Sequence, residues 1–491
     1  MKKKPYGRAA RRRMNMAAGA VVLALGGIVL ARAGTTEALP APAGTTSPPT
    51  VETPTPTPDV AEPNARAAIE TAELEGFVAF TQGAVLAHGD RELYAEARLE
   101  GRPGSGTARR RPVALAVALD VSGSMSGNKI VQARRALAEL VAAMHPEDRV
   151  AVVTYNHEAR VLVPLTEVRR VRAEIDGRVG ELFAHGGTNI PQGLELAASR
   201  LAGAPPTHGR RLVLVSDGLD NSGQVVPHVV HRVAERAHGG VTTSALGVGI
   251  DYDESFLTGV ADAGQGNYAF VARGAELATF LGQELEQASR TVAEGTALRF
   301  ALPPGWRLEE VYGGEVETTP TGERQLFFGS LFEGERRRVT LRFTVPAGAP
   351  GVAGRLTPRL RYAAVRAATD RTVAVDALTL VAVPDPAQVD ALRDVTLHAE
   401  AVAQAIDHRQ AAAVEAWRDG RAEEARRISR RNVQALRQQQ REAPAAAAAL
   451  GGQLSDVEAD IAGFAAPADS AAGRAHGLES NASRRSRARR Y

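Results

Sequence analysis

The sequence predicts an α/β fold, with a doubly wound and mostly parallel sheet flanked by a β-sandwich region and a C-terminal helical hairpin. Near-continuous apolar runs such as 113–119 are typical of strands that are covered on both faces. Amphipathic segments alternate with these runs as far as about residue 290, which is the order that a parallel sheet requires. After residue 293 short apolar and polar runs follow one another without helices, and they predict the sandwich.

Composition and charge exclude several classes of protein. The 491-residue chain has no cysteine, so disulfides, thiol catalysis, thiolate zinc sites and iron–sulfur clusters are excluded. Its net charge of +3 comes from the two ends, with seven Lys or Arg in the first thirteen residues and five Arg in the last eight. Residues 14–483 therefore have a net charge of −9. Because a nucleic-acid-binding domain is basic, we expect no nucleic-acid partner.

The N-terminal residues predict export. The basic start is followed by sixteen uncharged residues, 16–31, which is the layout of a signal peptide or of an N-terminal membrane anchor over residues 1–33. We expect a periplasmic or cell-envelope protein, tethered to the inner membrane by residues 16–31 if the signal is not cleaved. Residues 34–66 are rich in Pro and Thr and predict an extended linker.

The rest of the chain divides into further regions. Residues 74–112 predict antiparallel strands, 113–290 the α/β domain, and 293–383 the β-sandwich, which the strands before residue 112 would complete. Residues 385–442 predict a helical hairpin, with helices over 385–417 and 421–441 and a break at Gly420. Residues 444–491 are Ala-rich and then Arg-rich, and they predict a disordered tail.

Individual elements follow from the same patterns. In the α/β domain, strands are expected at 113–119, 149–155, 211–216 and 241–248, and helices at 130–144, 191–201 and 226–237. In the sandwich, strands are expected at 298–302, 309–312, 324–328, 338–345, 356–363 and 372–383.

Three loops of the α/β domain carry oxygen-bearing side chains where strands end or helices begin. The first strand ends at Asp120, and Ser122 and Ser124 follow it. Thr188 precedes a helix, and Asp217 follows the strand 211–216. Because ligands of open α/β sheets gather at the carboxyl ends of the strands, we expect these five residues to form one site. An Asp-x-Ser-x-Ser run alone would equally fit a helix N-cap, so the prediction depends on all three loops.

This site is expected to hold a divalent cation. All of the candidate ligand atoms are oxygen, which suits a hard cation such as Mg²⁺, or Mn²⁺ or Ca²⁺, and does not suit zinc. Two carboxylates and three neutral hydroxyls only just balance the charge of the ion. One coordination position then remains for the Asp or Glu carboxylate of a protein partner.

These three loops resemble a known metal site. The run from Asp120 to Met125, with Gly187-Thr188-Asn189 and Asp217-Gly218, is similar to the metal-ion-dependent adhesion site of von Willebrand factor type A domains. The resemblance covers about residues 113–290. It implies that the two serines and the threonine contact the metal directly, and that the two aspartates do so directly or through water. The flanking regions resemble bacterial extracytoplasmic type A domain proteins and, loosely, inter-alpha-trypsin inhibitor heavy chains.

Other patterns lead to no separate site. Residues 123–129 superficially resemble a phosphate-binding loop but lack its required glycine and lysine spacing. The usual hydrolase signatures are absent from the sequence. His228 and His231 fit a solvated helix face better than a metal pair. His185 is either a plain loop residue or a group whose charge tunes the site. Trp417 is expected to pack inside the helical hairpin.

The sequence therefore predicts a non-enzymatic, exported adhesion or scaffold protein that binds an acidic protein partner through the cation. One alternative is an accessory subunit of a metal-insertion or AAA+ chaperone-type complex that uses the same site. Such subunits work in the cytoplasm, so the predicted export signal argues against it. A second alternative is a hydrolase in the β regions, but the sequence contains none of the usual hydrolase motifs.

Overall fold

The structure is a computed structural model. It describes residues 62–89, 91–103, 110–205, 207–217, 220, 223, 226–249, 254–271 and 275–490. The predicted export segment, 1–33, and the predicted linker as far as residue 61 lie outside these residues. Among the helices of the described ranges, none has both the length and the apolar character that crossing a bilayer requires.

Four strands precede the α/β part of the chain. They are β1 (Arg66–Glu70), β2 (Leu74–Phe80), β3 (Ala84–Leu86) and β4 (Arg91–Gly101). In β1 only Ala67 and Ile69 are buried, because alternate residues of a strand point to opposite faces. β2 lies antiparallel between β1 and β4, so these three strands form one side of a larger sheet.

A six-stranded sheet forms the centre of the α/β part. Its strands are β5 (Val113–Asp120), β6 (Arg149–Tyr155), β7 (Ala159–Glu167), β8 (Gly209–Ser216), β9 (Val241–Val248) and β10 (Gln265–Val271). The strand order is β10-β9-β8-β5-β6-β7, and every pair is parallel except β6 with the edge strand β7. All eight residues of β5 are buried, as predicted for a strand that is covered on both faces.

Helices cover both faces of this sheet. They are α1 (Asn128–Ala143), α2 (Val168–Val171), α3 (Ile175–Gly180), α4 (Ile190–Leu201), α5 (Val226–His238), α6 (Glu254–Ala263) and α7 (Ala275–Ser289). The core of one face joins Leu115 and Val117 to α1, α2, α3 and α7, and the core of the other joins Ala116 to α4, α5 and α6. The predicted doubly wound sheet is confirmed.

Nine strands follow the α/β part. They are β11 (Thr291–Phe300), β12 (Arg307–Tyr312), β13 (Glu315–Thr318), β14 (Arg324–Phe332), β15 (Arg336–Val345), β16 (Gly351–Leu356), β17 (Arg359–Ala364), β18 (Thr369–Ala374) and β19 (Leu378–Val383). They form three sheets with the first four strands: β1-β2-β4-β15-β12, β13-β14-β11-β17-β18 and β16-β19-β3. One apolar core contains residues of all three. The α/β part is thus inserted between β4 and β11.

Two of the predicted sandwich strands are each two strands. The predicted strand 356–363 is interrupted between β16 and β17 at Pro358, which has no N–H to donate to a sheet. The predicted strand 372–383 is divided between β18 and β19. There the N–H of Val375 donates to the carbonyl oxygen of Pro358, which is the next pair in the register of β17 and β18. Pro358 has no N–H to donate in return, so the ladder ends at this pair.

The chain ends in helices. They are α8 (Pro386–Ala391), α9 (Val395–Arg418), α10 (Ala422–Glu442), α11 (Ala447–Gly463) and α12 (Ala471–Arg490). The single helix predicted over 385–417 is two helices, because Asp394 accepts the N–H of Leu397 and so caps a new helix at Val395. The hairpin of α9 and α10 turns at Gly420, whose φ of +81° favours glycine.

The prediction of a disordered tail over 444–491 is wrong, because α11 and α12 occupy most of it. The apolar residues of α11 repeat at intervals of four and three, which is a helical spacing that the Ala-rich composition conceals. They are Leu450, Leu454, Val457 and Ile461, and Phe464 continues the spacing directly after the helix. Their packing against α9 and α10 stabilises α11, and Leu478 of α12 enters the core of the α/β part.

Candidate metal centre

The predicted ligands lie at the carboxyl edge of the central sheet. Asp120 is the last residue of β5, and Asp217 directly follows β8. Because β5 and β8 are parallel neighbours, the two carboxylates are brought to the same edge. Ser122 and Ser124 follow Asp120 in a loop that contains a short 3-10 turn, Gly123–Met125.

Hydrogen bonds join four of the five predicted residues into one chain. The hydroxyl of Ser124 donates to Oδ1 of Asp217 at 2.7 Å, and its oxygen lies 2.9 Å from Oγ of Ser122. The backbone N–H of Ser122 donates to Oδ1 of Asp120 at 2.8 Å. Two carboxylates and two hydroxyls therefore converge although 93 residues separate Ser124 from Asp217.

The fifth residue, Thr188, is buried in a loop that two backbone hydrogen bonds fix to the serine loop. Gly123 donates to the carbonyl oxygen of Gly186 at 3.0 Å, and His185 donates to that of Val121 at 2.8 Å. Gly186 has a φ of +78°, and a Cβ there would lie 2.7 Å from Nδ1 of His157, so this turn requires glycine. Thr188 therefore lies in a loop whose backbone is fixed to the loop of Ser122 and Ser124.

Asp120 and Asp217 are both fully buried, and their like charges are close. The pKa of Asp120 is raised to about 6, mainly by burial and to a smaller extent by the charge of Asp217. Hydrogen bonds from Ser122 and Ser216 to the Asp120 carboxylate oppose that increase. Two buried carboxylates side by side are costly without positive charge, and a cation would remove that cost.

Two further residues contact these carboxylates and were not predicted. Ser216 donates its hydroxyl to Oδ2 of Asp120 at 2.9 Å, so both oxygens of that carboxylate have donors. Lys129 places its ammonium 2.5 Å from Oδ2 of Asp217. The position of Ser216 at the end of β8 was an available signal. The position of Lys129, in the first turn of α1, gives no such indication from sequence alone.

An aromatic patch borders the loop of Thr188. The ring of Phe183, 64% exposed, stacks on the ring of His185 with centroids 4.6 Å apart. Nε2 of His185 lies 3.0 Å from Nδ2 of Asn156, which holds the imidazole in place. The ring of His157 meets that of His185 edge to face at 6.4 Å. Phe183 is therefore an exposed but ordered apolar group beside the site.

The donor set fits a hard divalent cation. Its potential ligands are oxygen atoms of Asp120, Ser122, Ser124, Thr188 and Asp217. Among the described residues, no three His, Asp or Glu side chains are grouped so that they could hold a metal ion, so any ion at this edge would depend on hydroxyl ligands as well as the two carboxylates.

Two other predictions concern residues outside this site. His228 is exposed on α5, and His231 lies 3.5 Å from Glu235 one turn further along the same helix, as expected for a solvated face. Trp417 is buried, and its Nε1 donates to the carbonyl oxygen of Ala466 at 3.0 Å. Its packing role inside the C-terminal helices is confirmed.

Comparison with known proteins finds a family model that matches within the α/β part. Residues 115–219 match the family model of the von Willebrand factor type A domain. The chain is 32% identical over 195 residues to the uncharacterised protein YfbK of Escherichia coli. These residues cover 39% of this chain and 34% of YfbK. The chain is 31% identical over 154 residues to inter alpha-trypsin inhibitor heavy chain 4 of Mus musculus, 29% of this chain and 16% of the relative. The chain spans less than half the length of these curated relatives.

Solved structures extend the likeness beyond the matched residues, in fold alone. A von Willebrand factor type A structure from Catenulispora acidiphila superposes with a TM-score of 0.60 at 21% identity, covering 79% of this chain and 89% of that one. The ArnB paralog VWA2 from Sulfolobus acidocaldarius superposes with a TM-score of 0.56 at 15% identity, covering 85% and 98%. The chain therefore contains a von Willebrand factor type A domain, inserted into additional β-sheets and followed by C-terminal helices.

Proposed function

We propose that this chain is a non-enzymatic, metal-dependent protein-binding module. Asp120, Ser122, Ser124, Thr188 and Asp217 hold a divalent cation, and the cation binds a carboxylate of a protein partner. The observation that carries the proposal is the hydrogen-bonded chain from Asp120 through the two serines to Asp217, which gathers two buried carboxylates and their hydroxyls at one sheet edge.

The accessibility of the ligands supports binding of a second molecule. Asp120, Ser122 and Asp217 are buried, whereas Ser124 is exposed, so the site opens to solvent on the side of Ser124. A bound Mg²⁺, Mn²⁺ or Ca²⁺ supplies positive charge and a coordination position for a carboxylate there. The same hydroxyl of Ser124 donates to a carboxylate rather than to an imidazole, which suits a ligand better than an activated nucleophile.

The aromatic patch supports a protein partner over a small ion. Exposed aromatic side chains are enriched in protein interfaces, where their fixed rings lose little entropy on binding. Phe183 is exposed, and its stacking on His185 already orders it. An acidic residue of the partner then binds the cation, and a neighbouring apolar residue covers the Phe183 ring.

The site of action that we propose is the cell envelope. This part of the proposal rests on the basic start of the sequence and on the uncharged residues 16–31, which form either a cleaved signal or a tether to the inner membrane. The alternative, a cytoplasmic accessory subunit of a metal-insertion or AAA+ chaperone-type complex, needs no such segment. Fractionation of cells that express the chain with a C-terminal tag separates the two, since a soluble cytoplasmic product contradicts the envelope proposal.

Binding of the partner tests the function itself. The full chain is immobilised and exposed to envelope extract, with chelator, and again after Mg²⁺ is restored. We expect a retained protein that is lost with chelator, returns with Mg²⁺, and is lost from the Thr188→Ala variant. Retention that survives both chelation and Thr188→Ala would contradict the proposal, because a surface other than the metal centre would then make the contact.

A further inference from the structure

We propose that Lys129 sets the balance between two affinities of the metal centre, one for the divalent cation and one for the partner carboxylate that completes its coordination. Its ammonium weakens binding of the divalent cation and strengthens binding of the incoming anion. The inference rests on the proposed function and deepens it, because it assigns the balance between the two binding steps to one side chain.

Lys129 is placed against one of the two charges of the site. Its ammonium lies 2.5 Å from Oδ2 of Asp217, whose side chain is fully buried, while the side chain of Lys129 is 33% exposed. The other oxygen of that carboxylate accepts the hydroxyl of Ser124. The ammonium therefore contacts a candidate metal ligand directly and still leaves one of its oxygens to the serine.

The helix that carries Lys129 gains nothing from a positive charge at this position. Lys129 lies in the first turn of α1, whose cap residue, Gly127, makes no side-chain capping bond, and no acidic residue is present in that turn. A cation near a helix N-terminus is unfavourable, because it meets the positive end of the helix dipole. The carboxylate of Asp217 offsets this unfavourable interaction of the Lys129 ammonium. The ammonium therefore acts on the metal centre and does not stabilise the helix.

The choice of lysine stands out in this sequence. The chain has four lysines against 55 arginines, and the other three lysines are residues 2–4. A guanidinium binds carboxylates with two parallel N–H donors and would occupy both oxygens of Asp217, whereas an ammonium is a single point charge.

The backbone at Gly249 also borders the ammonium, since a Cβ there would lie 3.4 Å from Nζ.

Charge counting gives the direction of both effects. Asp120, Asp217 and Lys129 together have a charge of −1, so the site with a divalent cation has a charge of +1 and an incoming carboxylate neutralises it. Without Lys129 the cation alone would neutralise the site, and the carboxylate would add an unbalanced charge. Even in a water-like dielectric, one unit charge at about 4 Å changes the affinity for a carboxylate by about fivefold and the affinity for a divalent cation by about thirtyfold. Removal of the ammonium therefore strengthens one step and weakens the other.

Mn²⁺ and acetate serve as probes on the full chain at constant ionic strength. Electron paramagnetic resonance of free Mn²⁺ gives the Kd for the cation. Water proton relaxation of the bound Mn²⁺ gives the Kd for acetate, which replaces a bound water. The variants are Lys129→Met, which removes the charge, Lys129→Arg, which keeps it, and Arg135→Met as a matched control. Arg135 lies on the same helix, 74% exposed, and pairs with Glu139.

We expect Lys129→Met to bind Mn²⁺ about thirtyfold more tightly and acetate about fivefold more weakly, with neither change in Arg135→Met. Lys129→Arg should gain no Mn²⁺ affinity. The proposal is overturned if the two affinities of Lys129→Met move together or not at all, or if Lys129→Arg behaves like Lys129→Met. Wild-type protein that binds no Mn²⁺ would overturn the proposed function as well, and this outcome differs from all of the others.

Discussion

Arg418, at the end of α9, pairs through its guanidinium with the carboxylate of Glu254, the first residue of α6. Glu254 is 7% exposed, and its second oxygen accepts the side-chain amide of Asn481 at 2.7 Å. The C-terminal helices are therefore attached to the α/β part by a nearly buried charge, in addition to Leu478 in its core. This attachment connects regions that lie 164 residues apart in the sequence.

Arg418→Ala should lower the free energy of unfolding by about 2–3 kcal/mol, because it removes the guanidinium that pairs directly with the nearly buried carboxylate of Glu254. Arg421→Ala is the matched control, since Arg421 is exposed and pairs only with the nearby Asp419 and Glu424 among the described residues. Urea unfolding curves of both variants check this. Equal stability of the two variants would show that the Arg418–Glu254 pair does not hold the helices in place.

Leu478→Ala should lower the free energy of unfolding by about 2 kcal/mol, because it removes a buried side chain from the core between α12 and the α/β part. Glu479→Ala, at the adjacent exposed position, should change it by less than about 0.5 kcal/mol. Both are measured by urea unfolding. If Leu478→Ala is as stable as its control, residues 471–490 do not pack on the α/β part, and the prediction of a disordered C-terminal tail would hold for them.

Phe183→Ser should weaken binding of a carboxylate that has an apolar neighbour and leave acetate unchanged. With Mn²⁺ bound, wild-type protein should prefer an Asp peptide flanked by Leu to acetate, and the variant should lose about fivefold of that preference, or about 1 kcal/mol. Val161→Ser is the control, because Val161 is also an exposed apolar residue but lies on the edge strand β7. Titrations with the peptide and with acetate, followed by water proton relaxation, give the ratio of the two affinities. A preference that Phe183→Ser leaves intact rules out the aromatic patch as a contact.

Much of the site could be predicted because its residues follow from strand order. Asp120 and Asp217 come directly after two buried strands, and the alternation of strands and helices makes those strands parallel, so their ends meet at one edge. The spacing of Ser122 and Ser124 then places their hydroxyls in the same loop. Thr188 was included because its loop opens a helix of the same domain and offers a third hydroxyl, and the resemblance to a known metal site supports that choice.

The contacts that were missed depend on side-chain direction and on long-range packing. The rarity of lysine in this sequence does not tell which residue Lys129 contacts, because only the placement of α1 brings its ammonium to Asp217. Glu254 and Arg418 belong to segments that no local pattern connects. The helical tail was missed because Ala dominates its composition, although the spacing of Leu450, Val457 and Phe464 was present in the sequence.

The most direct test of the account is whether the full chain binds a divalent cation through Asp120. Titration with Mn²⁺, followed by the electron paramagnetic resonance of the free ion, should show one site that Mg²⁺ competes for. Asp120→Asn should bind at least about tenfold more weakly, since one of only two ligand charges is lost. Ser126→Ala, which removes an exposed hydroxyl of the same loop that donates to Gly123, should bind as the wild type does. Undiminished Mn²⁺ binding by a folded Asp120→Asn variant would contradict the assignment of this sheet edge as the metal centre.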